Sequence, residues 1–123
     1  MLAVAVKTEK DNTAVSPLFG KAKFFAFYDG KTITIEKNEI KGGTAVIEWF
    51  AQKGVETIIV KEMGCSPYKA LQNHGMKLLY AGDERIEVGD VVEKYDANEL
   101  AALTDAQMQN IIAKHEKSHT HKH

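Results

Sequence analysis

Hydrophobic positions change their spacing part-way along the chain. "LAVAVK" at 2–7 is a short apolar run that ends at the polar stretch "TEKDNTAVS", which predicts a buried strand. The aromatic run "KFFAFYD" predicts a second strand over 23–29. Asp29-Gly30 is a strong turn dipeptide, and "KTITIEK" at 31–37 alternates polar with β-branched residues. Strands two and three should therefore pair as an antiparallel hairpin, one face more exposed than the other.

After Lys37 the spacing becomes helical. "NEIKGG" at 38–43 reads as a loop, and "TAVIEWFAQKG" sets Val46, Ile47, Phe50 and Ala51 on one stripe, with Gly54 placed to end the helix. "VETIIVKE" predicts a strand over 55–62. "SPYKALQNHG" predicts a short helix with Ser66 as N-cap, Pro67 first in the helix and Gly75 past its end. "MKLLYAG" predicts a strand, and "VGDVVEKYDANEL" a helix carrying Val91, Val92 and Tyr95. "TDAQMQNIIAKHEK" opens with a capping-box pattern, Thr104 with Gln107, and places Met108, Ile111, Ile112 and His115 at helical spacing.

Two strand–helix–strand passages thus follow a hairpin. Such crossovers join parallel neighbours, so the expectation is an α/β fold with a five-stranded mixed sheet covered by helices on both faces. Residues 1–103 would form the α/β body, and 104–123 a C-terminal helix and His-rich tail of the same single domain. Ligands in such sheets sit beyond the carboxyl ends of parallel strands. That edge would hold Cys65 and the loops 8–22 and 82–88.

Length and charge narrow the field. A chain of 123 residues is usually one domain with one core. Sixteen basic residues against seventeen acidic leave no large positive field, which disfavours a nucleic-acid partner. One cysteine cannot form an intramolecular disulfide, which suits a reducing compartment. The start lacks a signal-peptide pattern, and no apolar run approaches the roughly 20 residues that span a bilayer. The expectation is a cytoplasmic monomer or weak homodimer with no membrane partner.

Two features carry candidate chemistry. Cys65, in "KEMGCSPYKAL", stands where a helix N-terminus would favour its thiolate, a ligand for soft metals and iron-sulfur centres. No CxxC, CxxH or HxxxH lies near it, so a small, partly buried loop residue is the favoured reading. His74 would lie about 12 Å along the same helix, too far to share a metal. The end of the chain, "HEKSHTHKH", contains His115, His119, His121 and His123, a composition suited to unselective zinc or nickel binding. A floppy solvated end is the alternative.

The stretch "VSPLFGKAKFFAFYD" resembles the F-G-[RK]-A-x-x-F pattern of the dinitrogenase iron-molybdenum cofactor biosynthesis family, the domains like NifX and the C-terminal part of NifB. Phe19, Gly20, Lys21, Ala22 and Phe25 stand at matching places. "GVETIIVKEMGCSPYKALQNHGMKLLYAG" and "VGDVVEKYDANEL" resemble the later parts of the family, so the similarity covers about residues 2–103. The resemblance implies a ribonuclease-H-like three-layer fold, three antiparallel strands followed by alternating helices and strands. It also implies a non-catalytic protein that binds or carries an iron-sulfur or molybdenum-containing cluster or its precursor, in contact with a cofactor-assembly protein. Carried over by position, the lining would be Ser16, Phe19 and Gly20, the loop from Asn38 to Gly42 and Gly43, and Gly64 with Cys65. Leu18 stands where many relatives have histidine, and the 38–43 loop is short and lacks histidine.

Three other functions compete, one of them metal binding by the His-rich tail alone. The ribonuclease-H-like fold also hosts nucleases, but two-metal chemistry needs converging carboxylates and "LAVAVK" has none. A cofactor-free interaction module would present a large apolar patch, with Phe24 or Phe27 facing solvent.

Overall fold

The computed structural model describes residues 1–10, 12–82 and 84–120, with side chains described as far as Ala113. Its elements are β1 (Leu2–Val6), β2 (Phe24–Tyr28), β3 (Ile33–Lys37), α1 (Gly43–Lys53), β4 (Thr57–Val60), α2 (Cys65–Asn73), β5 (Lys77–Tyr80), α3 (Val88–Asp96) and α4 (Asp105–Thr120). The five strands form one sheet in the order β3-β2-β1-β4-β5. Strand β2 is antiparallel to both β1 and β3, whereas β4 is parallel to β1 and β5. The carboxyl ends of β1, β3, β4 and β5 therefore share one edge with the start of β2. This is the α/β mixed sheet that the spacing of apolar residues predicts.

Helices cover both faces. On one, Phe25 and Phe27 of β2 and Ile58 of β4 meet Val46, Ile47 and Phe50 of α1, Leu71 of α2, and Met108 and Ile112 of α4. On the other, Val4, Tyr28 and Ile59 meet Val88, Val91 and Val92 of α3. Strand β1 is buried on both faces, as a run of consecutive apolar residues requires. Burial of this kind contributes about 25 cal/mol per Å² of apolar surface. The hairpin departs from expectation: β2 is covered on both sides, and the exposure belongs to the edge strand β3.

Local chemistry sets the helix ends. Helix α1 stops at Gly54, whose φ of 87° is left-handed, and Val55 N–H reaches back to Phe50 C=O at 3.0 Å. Helix α2 stops the same way at Gly75 (φ 69°), with Met76 N–H on Leu71 C=O at 3.0 Å. The capping box of α4 forms: Gln107 N–H donates to Thr104 Oγ1 at 3.1 Å, and Thr104 N–H to Gln107 Oε1 at 2.9 Å. One boundary differs from the sequence reading. Helix α2 begins at Cys65 with Gly64 as N-cap, not at Pro67 with Ser66 as N-cap. Gly64 is extended and its carbonyl takes Tyr68 N–H at 3.3 Å, which draws Cys65 and Ser66 into the first turn. Pro67 is tolerated there because first-turn N–H groups lack helical partners anyway.

Among the described residues no helix is long and apolar enough to cross a membrane.

Candidate functional site: a glycine-walled cleft

The loop after β1 is shaped by Ser16. Its N–H donates to Ala5 C=O at 2.8 Å, and its Oγ accepts Leu18 N–H at 3.1 Å, so the chain turns sharply. Leu18 is left 41% exposed, and Phe19 is driven into the core, 5.6 Å from the Phe25 ring and 5.9 Å from Phe50. Gly20 then meets the backbone at the start of α1: a Cβ on it would lie 3.2 Å from Gly43 N. Asn38 joins the same loops, with Nδ2 donating to Ala22 C=O at 2.9 Å and Oδ1 accepting Ile40 N–H at 3.0 Å. Gly42 turns the chain into α1 at φ 93°, and Gly43 packs on the ring of Pro67 in α2.

Between these segments, at the edge shared by the strand carboxyl ends, lies a cleft of about 260 Å³. Leu18, Phe19, Gly20 and Lys21 form one wall, Gly42 and Gly43 the second, and Met63, Gly64 and Pro67 the third. Two helices begin here. Gly42 caps α1 and Gly64 caps α2; neither has a side-chain cap, and neither first turn contains an acidic residue. Their N–H groups and helix dipoles make these walls positive without a charged side chain in the helices, a setting suited to an anion. Lys21, exposed at the rim, adds a full positive charge.

The eight positions carried over from the family thus separate. Phe19, Gly20, Gly42, Gly43 and Gly64 line the cleft. Ser16 and Asn38 stand behind it and hold its loops. Cys65 is half-buried against the main core, one residue beyond Gly64, and is not part of the lining. Leu18, Lys21, Met63 and Pro67 complete the walls. Leu18 and Lys21 lie inside the family-like motif and were legible as neighbours; nothing local marks Met63 or Pro67 as lining residues.

Other polar groups serve the scaffold. Tyr68 Oη donates to Asp105 at 2.9 Å and joins α2 to α4; burial, then that hydrogen bond, pushes its pKa up. His74 Nε2 lies 3.0 Å from Glu48 Oε2 and links the end of α2 to α1. Among the described residues no three His, Cys, Asp or Glu side chains converge to hold a metal ion. The side chains of His115 and His119, and all of His121 and His123, lie outside the described residues. Phe27 is 3% exposed and Phe24 half-buried, so neither faces solvent as an interaction patch would require.

The model of one protein family, dinitrogenase iron-molybdenum cofactor, matches residues 1–98. The chain belongs to this family. Solved structures share the family member's fold. The orange protein of Desulfovibrio gigas in its apo form has a TM-score of 0.74 at 18% identity, over 84% of this chain and 92% of that one. A candidate NifB protein from Thermotoga has a TM-score of 0.71 at 23% identity, over 84% and 92%. A candidate dinitrogenase from Methanocaldococcus jannaschii has a TM-score of 0.64 at 16% identity, over 84% and 93%. No curated protein sequence matches the chain.

Proposed function

We propose that this member of the dinitrogenase iron-molybdenum cofactor family is a non-catalytic accessory protein. Its cargo would be an anionic iron-sulfur or molybdenum-containing cluster, or a precursor, held in the glycine-walled cleft. One observation carries the reading: two helix starts, both glycine-capped and free of first-turn acids, open on the same cleft. Sulfide-rich clusters are negatively charged, and backbone N–H groups bind such anions without neutralising side chains. Glycines let the backbone approach closely, where a Cβ would hold the ligand away. Among the described residues Lys21 is the one titratable side chain in the lining, which favours binding over acid–base chemistry.

Cys65 enters this reading as an auxiliary ligand that would have to turn its sulfur past Gly64. Anaerobic reconstitution with iron and sulfide, with and without molybdate, followed by visible absorption, tests both statements. Wild type should develop a chromophore, and Cys65→Ala a weaker one. An undiminished chromophore in Cys65→Ala removes the thiol from the site, and none in wild type overturns the function.

The same proposal extends to the setting. The strand order supports a ribonuclease-H-like assignment, the lone cysteine a cytoplasmic location, and carriage of a cluster implies an assembly protein that gives or receives it. The packing of Met108 and Ile112 supports a single domain in which 104–123 is an appendage of 1–103. The histidines of the tail would bind zinc or nickel separately from the cleft.

A further inference from the structure

Three polar side chains are buried among the described residues: Thr13, Ser16 and Thr57. Thr13 Oγ1 accepts Thr8 N–H at 3.1 Å and the Thr8 hydroxyl at 2.7 Å, and Ser16 Oγ accepts Leu18 N–H. Thr57 is only 7% exposed, yet its hydroxyl has no hydrogen-bond partner among the described residues. It opens β4 on the α3 face of the sheet, where Leu2 and Ile59 are apolar. Valine has the same shape and would fill that place without taking a hydroxyl out of water. Among the described residues no sealed-in side-chain nitrogen or oxygen lacks a partner, so the Thr57 hydroxyl is not sealed in. It opens on a pocket of about 400 Å³.

The pocket lies at the edge where β4 and β5 begin, across the sheet from the edge that bears the cleft. Its floor is Thr57 with Lys77, the neighbour of Thr57 in the parallel register. One wall is the last turn of α3, with Tyr95 and Asp96. The chain then turns at Asn98, whose φ of 58° is left-handed, and runs back along the outer edge of β5 as the other wall. There Tyr80 N–H donates to Ala101 C=O at 3.1 Å and Leu103 N–H to Leu78 C=O at 3.0 Å, so the segment that covers β5 also closes the pocket. Charge is separated across it. Asp96 Oδ2 accepts the Tyr28 hydroxyl at 2.6 Å, which fixes the carboxylate, and Oδ1 has no partner among the described residues. This carboxylate stands at the C-terminus of α3, where the helix carbonyls add negative character. Lys77 is the one cation in the lining, and its ammonium group is also unpaired among the described residues.

We propose that this pocket binds a small zwitterion, a free amino acid in size and charge. Its ammonium group would sit at Asp96, and its carboxylate at Lys77 and the Thr57 hydroxyl. One acid and one base, held on opposite walls, match a ligand that carries both charges better than a simple anion or cation. The volume lies within the range of small-ligand sites, about 300–1,000 Å³. The proposal does not depend on what the cleft holds.

Two-dimensional NMR of the isotope-labelled full chain, titrated with each common amino acid to about 20 mM, reads the pocket directly. At least one should give saturable shifts at the amides of Thr57, Lys77, Tyr95 and Asp96, with a dissociation constant on the order of 1 mM. Acetate and ethylammonium, with one charge each, should bind at least roughly 10-fold more weakly. Thr57→Val should keep the wild-type circular dichroism and weaken binding roughly 10-fold, through loss of one hydrogen bond to the ligand. The absence of saturable shifts with every amino acid, shifts centred on the cleft instead, equal binding of the single-charge ions, or undiminished binding by Thr57→Val would each overturn the proposal.

Discussion

A Cβ placed on Gly43 would come within 2.8 Å of Pro67 Cγ, so the starts of α1 and α2 meet at a distance that only glycine permits. The proline ring is rigid and buried, and cannot step aside as a flexible side chain would. Gly43→Ala must therefore part the two helices that wall the cleft. Overpacking of this kind costs about 1–3 kcal/mol. Urea denaturation should show that loss, and reconstitution a reduced chromophore. Gly20→Ala, whose Cβ would meet Gly43 N at 3.2 Å, should do less of both.

Met108 is fully buried and anchors α4 on the face that α1 and α2 also cover. Met108→Ala removes that anchor and leaves a cavity, at a cost of about 2–4 kcal/mol. Thermal melting of the full chain checks this. A midpoint unchanged from wild type would mean that α4 contributes nothing to the stability of the sheet.

Asp29 holds the hairpin turn through its Oδ1, which accepts Lys31 N–H at 2.9 Å and Thr32 N–H at 2.8 Å. The Thr32 bond first, then the Lys31 bond, keeps its pKa below the usual carboxylate range. A carboxylate whose folded pKa is depressed stabilises the fold above its unfolded value, near 3.9, and loses that contribution as pH falls through the folded value. Asp29→Asn should therefore be less stable than wild type at neutral pH, with the gap closing below about pH 4. A gap independent of pH would assign the effect to packing.

The histidines at 119, 121 and 123 give a separate prediction. Removing residues 119–123 should abolish retention on an immobilised nickel column while leaving the reconstituted chromophore intact. Loss of the chromophore with the tail would mean that the tail, and not the cleft, holds the metal.

Most elements were legible because their signals are local. Gly54, Gly75 and the Thr104–Gln107 pair act within a turn of where they stand, and the apolar run of β1 announces burial on both faces. The start of α2 was misplaced because Ser66 and Pro67 are the expected cap and first residue, whereas extended Gly64 takes the cap and Ser66 makes no cap bond. The covering of β2 on both faces was hidden as well. Phe25 and Phe27 alternate with Phe24, Ala26 and Tyr28, and only α3, packed from far along the chain, shows that the second set is covered.

The candidate site divides along the same line. Phe19 and Gly20 could be picked out from a motif, but Gly43 touching Gly20 and Pro67 brings together segments more than twenty residues apart. Spacing along the chain has no signal for such contacts. Cys65 was the reverse case: chemically conspicuous in the sequence, and in the fold half-buried one residue behind the wall.

The covered flank of β5 has a practical consequence. The family match ends at residue 98, but the residues that shield β5, Ala101 to Leu103, come after it. A polypeptide cut at that family boundary would bare a hydrophobic strand margin able to recruit neighbours without limit. It should precipitate on concentration, where the full chain stays in solution.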